Sequence, residues 1–165
     1  MRRGAPIVAE VAGYACTTDS AHVTQPSVDG QTLPMRQALA DAAIHREHIG
    51  YICAHGTGTK LNDLTETLAI KQTFGAHASA LTASSPKSMI GHLVGAAGAF
   101  GLVLSALAVR DQRVPPTANL TEPDPECDLD YVPLTGRAVP DLRAALCNAF
   151  GFGGSSASII VTTPN

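Results

Sequence analysis

The sequence contains no tryptophan, only 4% aromatic residues, and no CxxC pair among its four cysteines, Cys16, Cys53, Cys127 and Cys147. That spacing argues against a zinc module or a disulfide framework, and no metal is expected. Charge is equally scarce, at 15% of residues, with 11 Lys+Arg against 14 Asp+Glu and a formal net charge of -3. Nothing in that balance attracts a phosphate backbone or an anionic lipid, so neither nucleic acid nor membrane is an expected partner. The opening MRRGAPIVAEVAGYAC has a basic pair but lacks the continuous apolar stretch and small-residue cleavage site of a signal peptide. With its thiols unpaired, the chain is expected in a reducing cytoplasm.

What is present is a core. The chain has 165 residues, 45% of them hydrophobic, with 15 glycines and 11 prolines. One domain over residues 1–165 is expected, burying roughly 70% of the surface its unfolded form exposes. Residues 6–16 are apolar and rich in small and β-branched types, which predicts a strand, and 17–32 read as a polar loop. A surface helix is expected after Pro34, and a short buried strand over 49–54. A second helix is read from Asn62 as N-cap, ended by Gly75. Residues 79–84 form a weaker predicted strand. Leu93 to Val109 carries no charge; glycines interrupt it and no second apolar span exists, so a helix buried on all sides is expected there rather than a membrane span. Pro115 and Pro116 break regular structure before an acidic loop over 117–130. Strands at 143–148 and 156–163 flank FGFGGSS, whose glycines permit a tight turn. Alternating strand and helix give the α/β class.

Several residues invite chemistry. His55 stands at the end of a buried strand in HGTGT, where small residues let a substrate approach the backbone, and its imidazole exchanges protons near neutrality. A turn histidine held by hydrogen bonds explains it equally well. His92, read at the start of the apolar helix, faces free N–H groups that favour a neutral ring able to donate to developing negative charge; an N-cap histidine is the plain alternative. Lys87 lies in a loop leading to the same helix and, if drawn inward, needs a carboxylate partner. Asp63 and Glu66 are the natural candidates, although acids in a first helical turn also simply favour the dipole. The turn around Phe152 suits an oxyanion hole or an ordinary hairpin.

Taken in order, HGTGT, KSMIGHLVGAAG and CNAFGFGG resemble the C-terminal half of a β-ketoacyl-acyl carrier protein synthase, of the KAS II type and the related type II polyketide ketosynthases. GYACTTDSAHVTQP and RDQRVPPTANLTEPDPECDLDYVP extend the likeness from about Arg3 to Val161. The resemblance implies the C-terminal half of a thiolase-like layered αβαβα fold, a mixed sheet with a buried Gly/Ala-rich helix. It implies that His55 and His92 hold the thioester carbonyl of malonyl-carrier protein during decarboxylation. Lys87 matches the active-site lysine, Asp63 and Glu66 the acids supporting it, and Thr57 and Thr59 the hydroxyls that bind phosphopantetheine. Phe152 matches a gating phenylalanine whose N–H forms half of an oxyanion hole. No cofactor is implied beyond the phosphopantetheine arm of the carrier protein.

The family nucleophile, a cysteine in a Thr-Ala-Cys context, belongs to the N-terminal half and is not in this sequence. Cys16 resembles that signature only superficially; Cys53 and Cys147 read as buried small apolar residues, and Cys127 as a loop residue. Half of a layered fold leaves an apolar face exposed, so a partner is expected: a cysteine-bearing N-terminal half or a ketosynthase subunit, in a dimeric assembly that docks acyl carrier protein. The start at Met1 and the end just past the final strand fit an independently translated half. A non-catalytic subunit like a chain-length factor, or an inactive fragment, remains open from sequence.

Overall fold

A computed structural model describes residues 3–164; Met1 and Arg2 of the N-terminal basic stretch lie outside them. In chain order the elements are β1 (Glu10–Thr18), α1 (Val28–Asp41), β2 (Ile49–Cys53), α2 (Lys60–Phe74), β3 (Thr82–Ser84), α3 (Lys87–Ile90), α4 (Ala97–Asp111), β4 (Arg113–Val114), β5 (Arg137–Ala138), β6 (Ala144–Phe150) and β7 (Ser155–Thr162).

Among the described residues the main sheet runs β1-β7-β6-β2-β3, and β4 pairs with β5 in a small antiparallel ribbon. β6, β2 and β3 are parallel, whereas β7 is antiparallel to both β1 and β6, so the sheet is mixed. The strand residues alternate between two cores, as a period of two requires. Ile52, Leu146 and Ile160 face Met35 and Ala38 of α1 and Ala69, Ile70 and Phe74 of α2. Cys53, Cys147 and Val161 face Ala108 and Val109 of α4. Both faces of the sheet are thereby covered, and the α/β expectation holds.

Several boundaries differ from the sequence reading. Helix α1 begins at Val28, where the polar stretch looked like loop: Ser27 Oγ accepts the Gly30 N–H at 2.9 Å and caps it, and Pro34 sits inside the helix instead of starting it. A proline is favoured in a first turn, which misplaced the start. Thr59 rather than Asn62 precedes α2, while Gly75 does close it. Residues 75–80 form a 3-10 turn, shortening the next strand to three residues. The glycine turn carries a 3-10 segment, Phe152–Gly154, with Gly153 and Gly154 at φ +75° and +73°.

The larger correction concerns the uncharged helix, expected to be enclosed all round. Val94–Asp111 is long and apolar enough to cross a membrane by length and composition alone. Only Gly101, Ser105, Ala108 and Val109 of α4 are buried, a stripe with helical spacing laid on β6, β7 and β2. Gly101 permits that approach: a Cβ there would lie 2.7 Å from Cys147 Sγ. On the other side Val103 is 54% exposed. One face is core and the other is uncovered in this chain.

Candidate active site

The three parallel strands end on one edge of the sheet, the usual place for a site in open α/β architecture. β2 delivers His55, the segment after β3 delivers Lys87, and β6 ends at the Phe150–Gly154 turn. The His55 and His92 rings stand edge to face, centroids 5.8 Å apart at 80°.

Each ring has its Nδ1 occupied by a backbone donor. Phe150 N–H donates to His55 Nδ1 at 3.2 Å, and Val94 N–H donates to His92 Nδ1 at 3.0 Å. An imidazole that accepts at one nitrogen and is neutral carries its proton on the other. With Nδ1 accepting, Nε2 is the nitrogen left to donate on each ring. Val94 takes φ +49° to deliver its amide, a strained conformation for a β-branched residue. His55 is 7% exposed, and burial first, then the Lys87 ammonium and His92, push its pKa down to about 3. His92 is exposed and precedes α4 by a 3-10 turn, so the helix start expected to act on it is not adjacent; its local partner is the Val94 amide.

Lys87 also departs from expectation. Among the described residues it makes no ion pair; its ammonium donates to His55 O and lies 3.5 Å from His55 Nδ1. Burial lowers its pKa, opposed chiefly by the Glu66 carboxylate. Glu66, expected to face the lysine, clamps the backbone before it: Oε1 accepts His55 N–H and Oε2 accepts Gly56 N–H, both at 2.9 Å. The cause is geometric, since a carboxylate two turns into α2 reaches the two amides that leave β2. Burial raises the pKa of Glu66 and of Asp63.

His55, His92, Thr57, Thr59 and Phe152 line one cavity of about 600 Å³. Thr57 and Thr59 bond each other through their hydroxyls at 2.8 Å. Lys87, Asp63 and Glu66 line a neighbouring cavity of about 610 Å³ that shares His92 and both threonines. Phe152 is 81% exposed at the rim, and the amides beside it serve the turn, Gly151 N–H to Ser155 O and Gly153 N–H to Val23 O, each at 2.7 Å. Cys53 and Cys147 are buried and opposite each other on β2 and β6, whereas Cys16 is exposed and Cys127 half-buried. No group of three metal-ligating side chains occurs among the described residues.

Sequence reasoning missed Asn148, Phe150, Val94 and Ser158. Asn148 Nδ2 donates to Glu66 Oε1 at 3.0 Å, and Ser158 Oγ donates to Asn148 Oδ1 at 2.8 Å. A polar asparagine inside an apolar strand was the available signal. The amides of Phe150 and Val94 leave no trace in side-chain identity.

Comparison with known proteins adds a family. Residues 8–121 match the model of the beta-ketoacyl synthase C-terminal domain. Over 161 residues the chain is 48% identical to the 3-oxoacyl-[acyl-carrier-protein] synthase 2 of Synechocystis sp., covering 96% of this chain and 38% of that protein. It is also 48% identical over 155 residues to nodulation protein E of Rhizobium meliloti, covering 94% and 38%. The chain thus spans well under half the length of these relatives. Among solved structures, the ishigamide ketosynthase/chain length factor superposes with a TM-score of 0.95 at 43% identity, over 99% of this chain and 40% of that one. A type II polyketide ketosynthase in complex with its acyl-carrier protein gives 0.94 at 40% identity, over 99% and 40%. This mixed sheet is the C-terminal part of a thiolase-like ketosynthase fold, and the chain belongs to the β-ketoacyl synthase family.

Proposed function

We propose that this chain supplies the histidine-bearing half of a ketosynthase, which condenses an acyl thioester with malonyl-acyl carrier protein in fatty acid or polyketide elongation. The observation that carries the reading is the pair of imidazoles whose Nδ1 atoms each accept a backbone N–H, which leaves both Nε2 atoms as the donors beside a shared cavity. Decarboxylation releases carbon dioxide and leaves the electron pair as an enolate, whose oxygen gains the charge. Two N–H donors aimed at that oxygen stabilise it more than they stabilise the ground-state carbonyl. The enolate carbon then attacks the acyl thioester held on the cysteine of an N-terminal half; a carbon–carbon bond forms, the carbon–sulfur bond breaks, and the thiolate leaves.

Thr57 and Thr59 would bind the phosphopantetheine arm, and Phe152 would gate the cavity and offer its amide to the thioester oxygen. Lys87 would set the electrostatics behind His55, with Glu66 and Asp63 supporting the loop. No further cofactor is required, and the free thiols suit a reducing cytoplasm. The uncovered α4 face supports packing against an N-terminal half in a dimeric assembly. The chain alone is expected to show no condensation, and a cysteine-bearing N-terminal half is expected to restore it. In that assembly His92→Ala should lower malonyl decarboxylation by roughly 10²–10³-fold, about 2.7–4 kcal/mol of lost donor. A fully active variant would overturn the assignment. A change in product length that ignores both histidines would favour a non-catalytic, chain-length-factor-like subunit instead.

A further inference from the structure

We propose that Asn148 is a positioning residue for the His55 imidazole, acting through Glu66. The inference deepens the reading above and rests on His55 being an oxyanion donor. β6 reaches His55 twice: Phe150 N–H fixes ring Nδ1, and two residues earlier the Asn148 side chain holds the carboxylate that clamps the His55 and Gly56 amides. Ring and backbone of one residue are thereby referenced to the same strand.

The network has a single direction. Ser158, the register partner of Asn148 on β7, donates its hydroxyl proton to Asn148 Oδ1. The amide nitrogen then gives one proton to Glu66 and lies 3.6 Å from Met35 Sδ. An ionised carboxylate only accepts, so turning the amide over would set a carbonyl oxygen against it. Asn148, Glu66 and Ser158 are 3%, 2% and 0% exposed, so no water from bulk replaces a lost donor. Without Asn148, Glu66 keeps a buried lone pair unsatisfied and is free to leave the amides it clamps.

The test reads the ring itself, by heteronuclear NMR of the histidine nitrogens in the full chain. Wild type should show one His55 species, protonated at Nε2, throughout the neutral range. Asn148→Asp places a second carboxyl against Glu66, beside Asp63 on the same helix, Lys87 on α3, His55 and Tyr131. Like charges this close do not both ionise readily, so the pair retains one proton at low pH, and that proton replaces the amide donor. His55 should then keep the wild-type signature at low pH and lose it as the proton is released. Asn148→Leu should lose the signature at every pH; if that variant does not fold, Asn148→Asp carries the test alone. An unchanged His55 signature through the titration of the new carboxyl, whatever happens to the melting temperature, overturns the proposal. Because no turnover is measured, a complete assembly that never condenses would remove the proposed reaction and leave this outcome untouched.

Discussion

The edge of one imidazole meets the face of the other: His55 and His92 stand 5.8 Å apart at 80°, and a different backbone amide holds each Nδ1. Two elements remote in sequence, the end of β6 and the strained Val94 turn, set the protonation pattern that the proposed chemistry needs.

Acid should expose the neutrality of His55. Its pKa falls from 6.5 to about 3 on folding, so between those values the unfolded chain binds more protons and stability decreases as pH falls. The slope should reach at most ~1.4 kcal/mol per pH unit and vanish above the unfolded value. Glu66 and Asp63, raised by burial, act with the opposite sign, so the measurement is the difference in denaturant unfolding between wild type and His55→Gln. Parallel pH profiles for the two proteins would refute it.

Removing the Lys87 charge should release His55. The ammonium lowers the His55 pKa and makes no ion pair among the described residues. Lys87→Met keeps the stem and discards a half-buried cation, so the His55 titration should move up from about 3. Global stability should change by less than ~1.5 kcal/mol, because the lost donor to His55 O is offset by a smaller desolvation cost. NMR titration reads the first effect and chemical denaturation the second.

Gly101 and Cys147 should couple. A Cβ on Gly101 meets Cys147 Sγ at 2.7 Å and Cys53 Sγ at 3.4 Å. Gly101→Ala should cost ~1–3 kcal/mol from overpacking, partly offset by about 1 kcal/mol of helix propensity. In a Cys147→Ala background the closest clash is gone and the same change should become neutral or stabilising. A double-mutant cycle checks the sign reversal.

The uncovered side of α4 should matter only in assembly. Val103 is 54% exposed, so Val103→Glu should leave the unfolding free energy of the chain within about 0.5 kcal/mol. The same substitution should prevent complementation by a cysteine-bearing N-terminal half. Size-exclusion of the mixture and a condensation assay separate the two effects.

Much of the architecture was legible because it follows from local rules: apolar strands at 49–54 and 143–148, Gly75 as a helix stop, and a glycine turn before the last strand. HGTGT, KSMIGHLVGAAG and CNAFGFGG placed His55, Lys87, His92 and Phe152 in a recognisable order. The sequence could not decide which carboxylate faces Lys87, because that depends on how far α2 reaches across the ends of β2 and β3, and Glu66 turned inward to two amides. Nor could it show that α4 is enclosed on one side only, since apolar composition is the same whether its cover lies in this chain or another. The His55 tautomer was decided by tertiary structure alone, whereas His92 is held by the local Val94 turn: the Phe150 amide that fixes His55 comes from a distant strand, and backbone donors are chemically alike at every residue except proline, acquiring meaning only from where folding aims them.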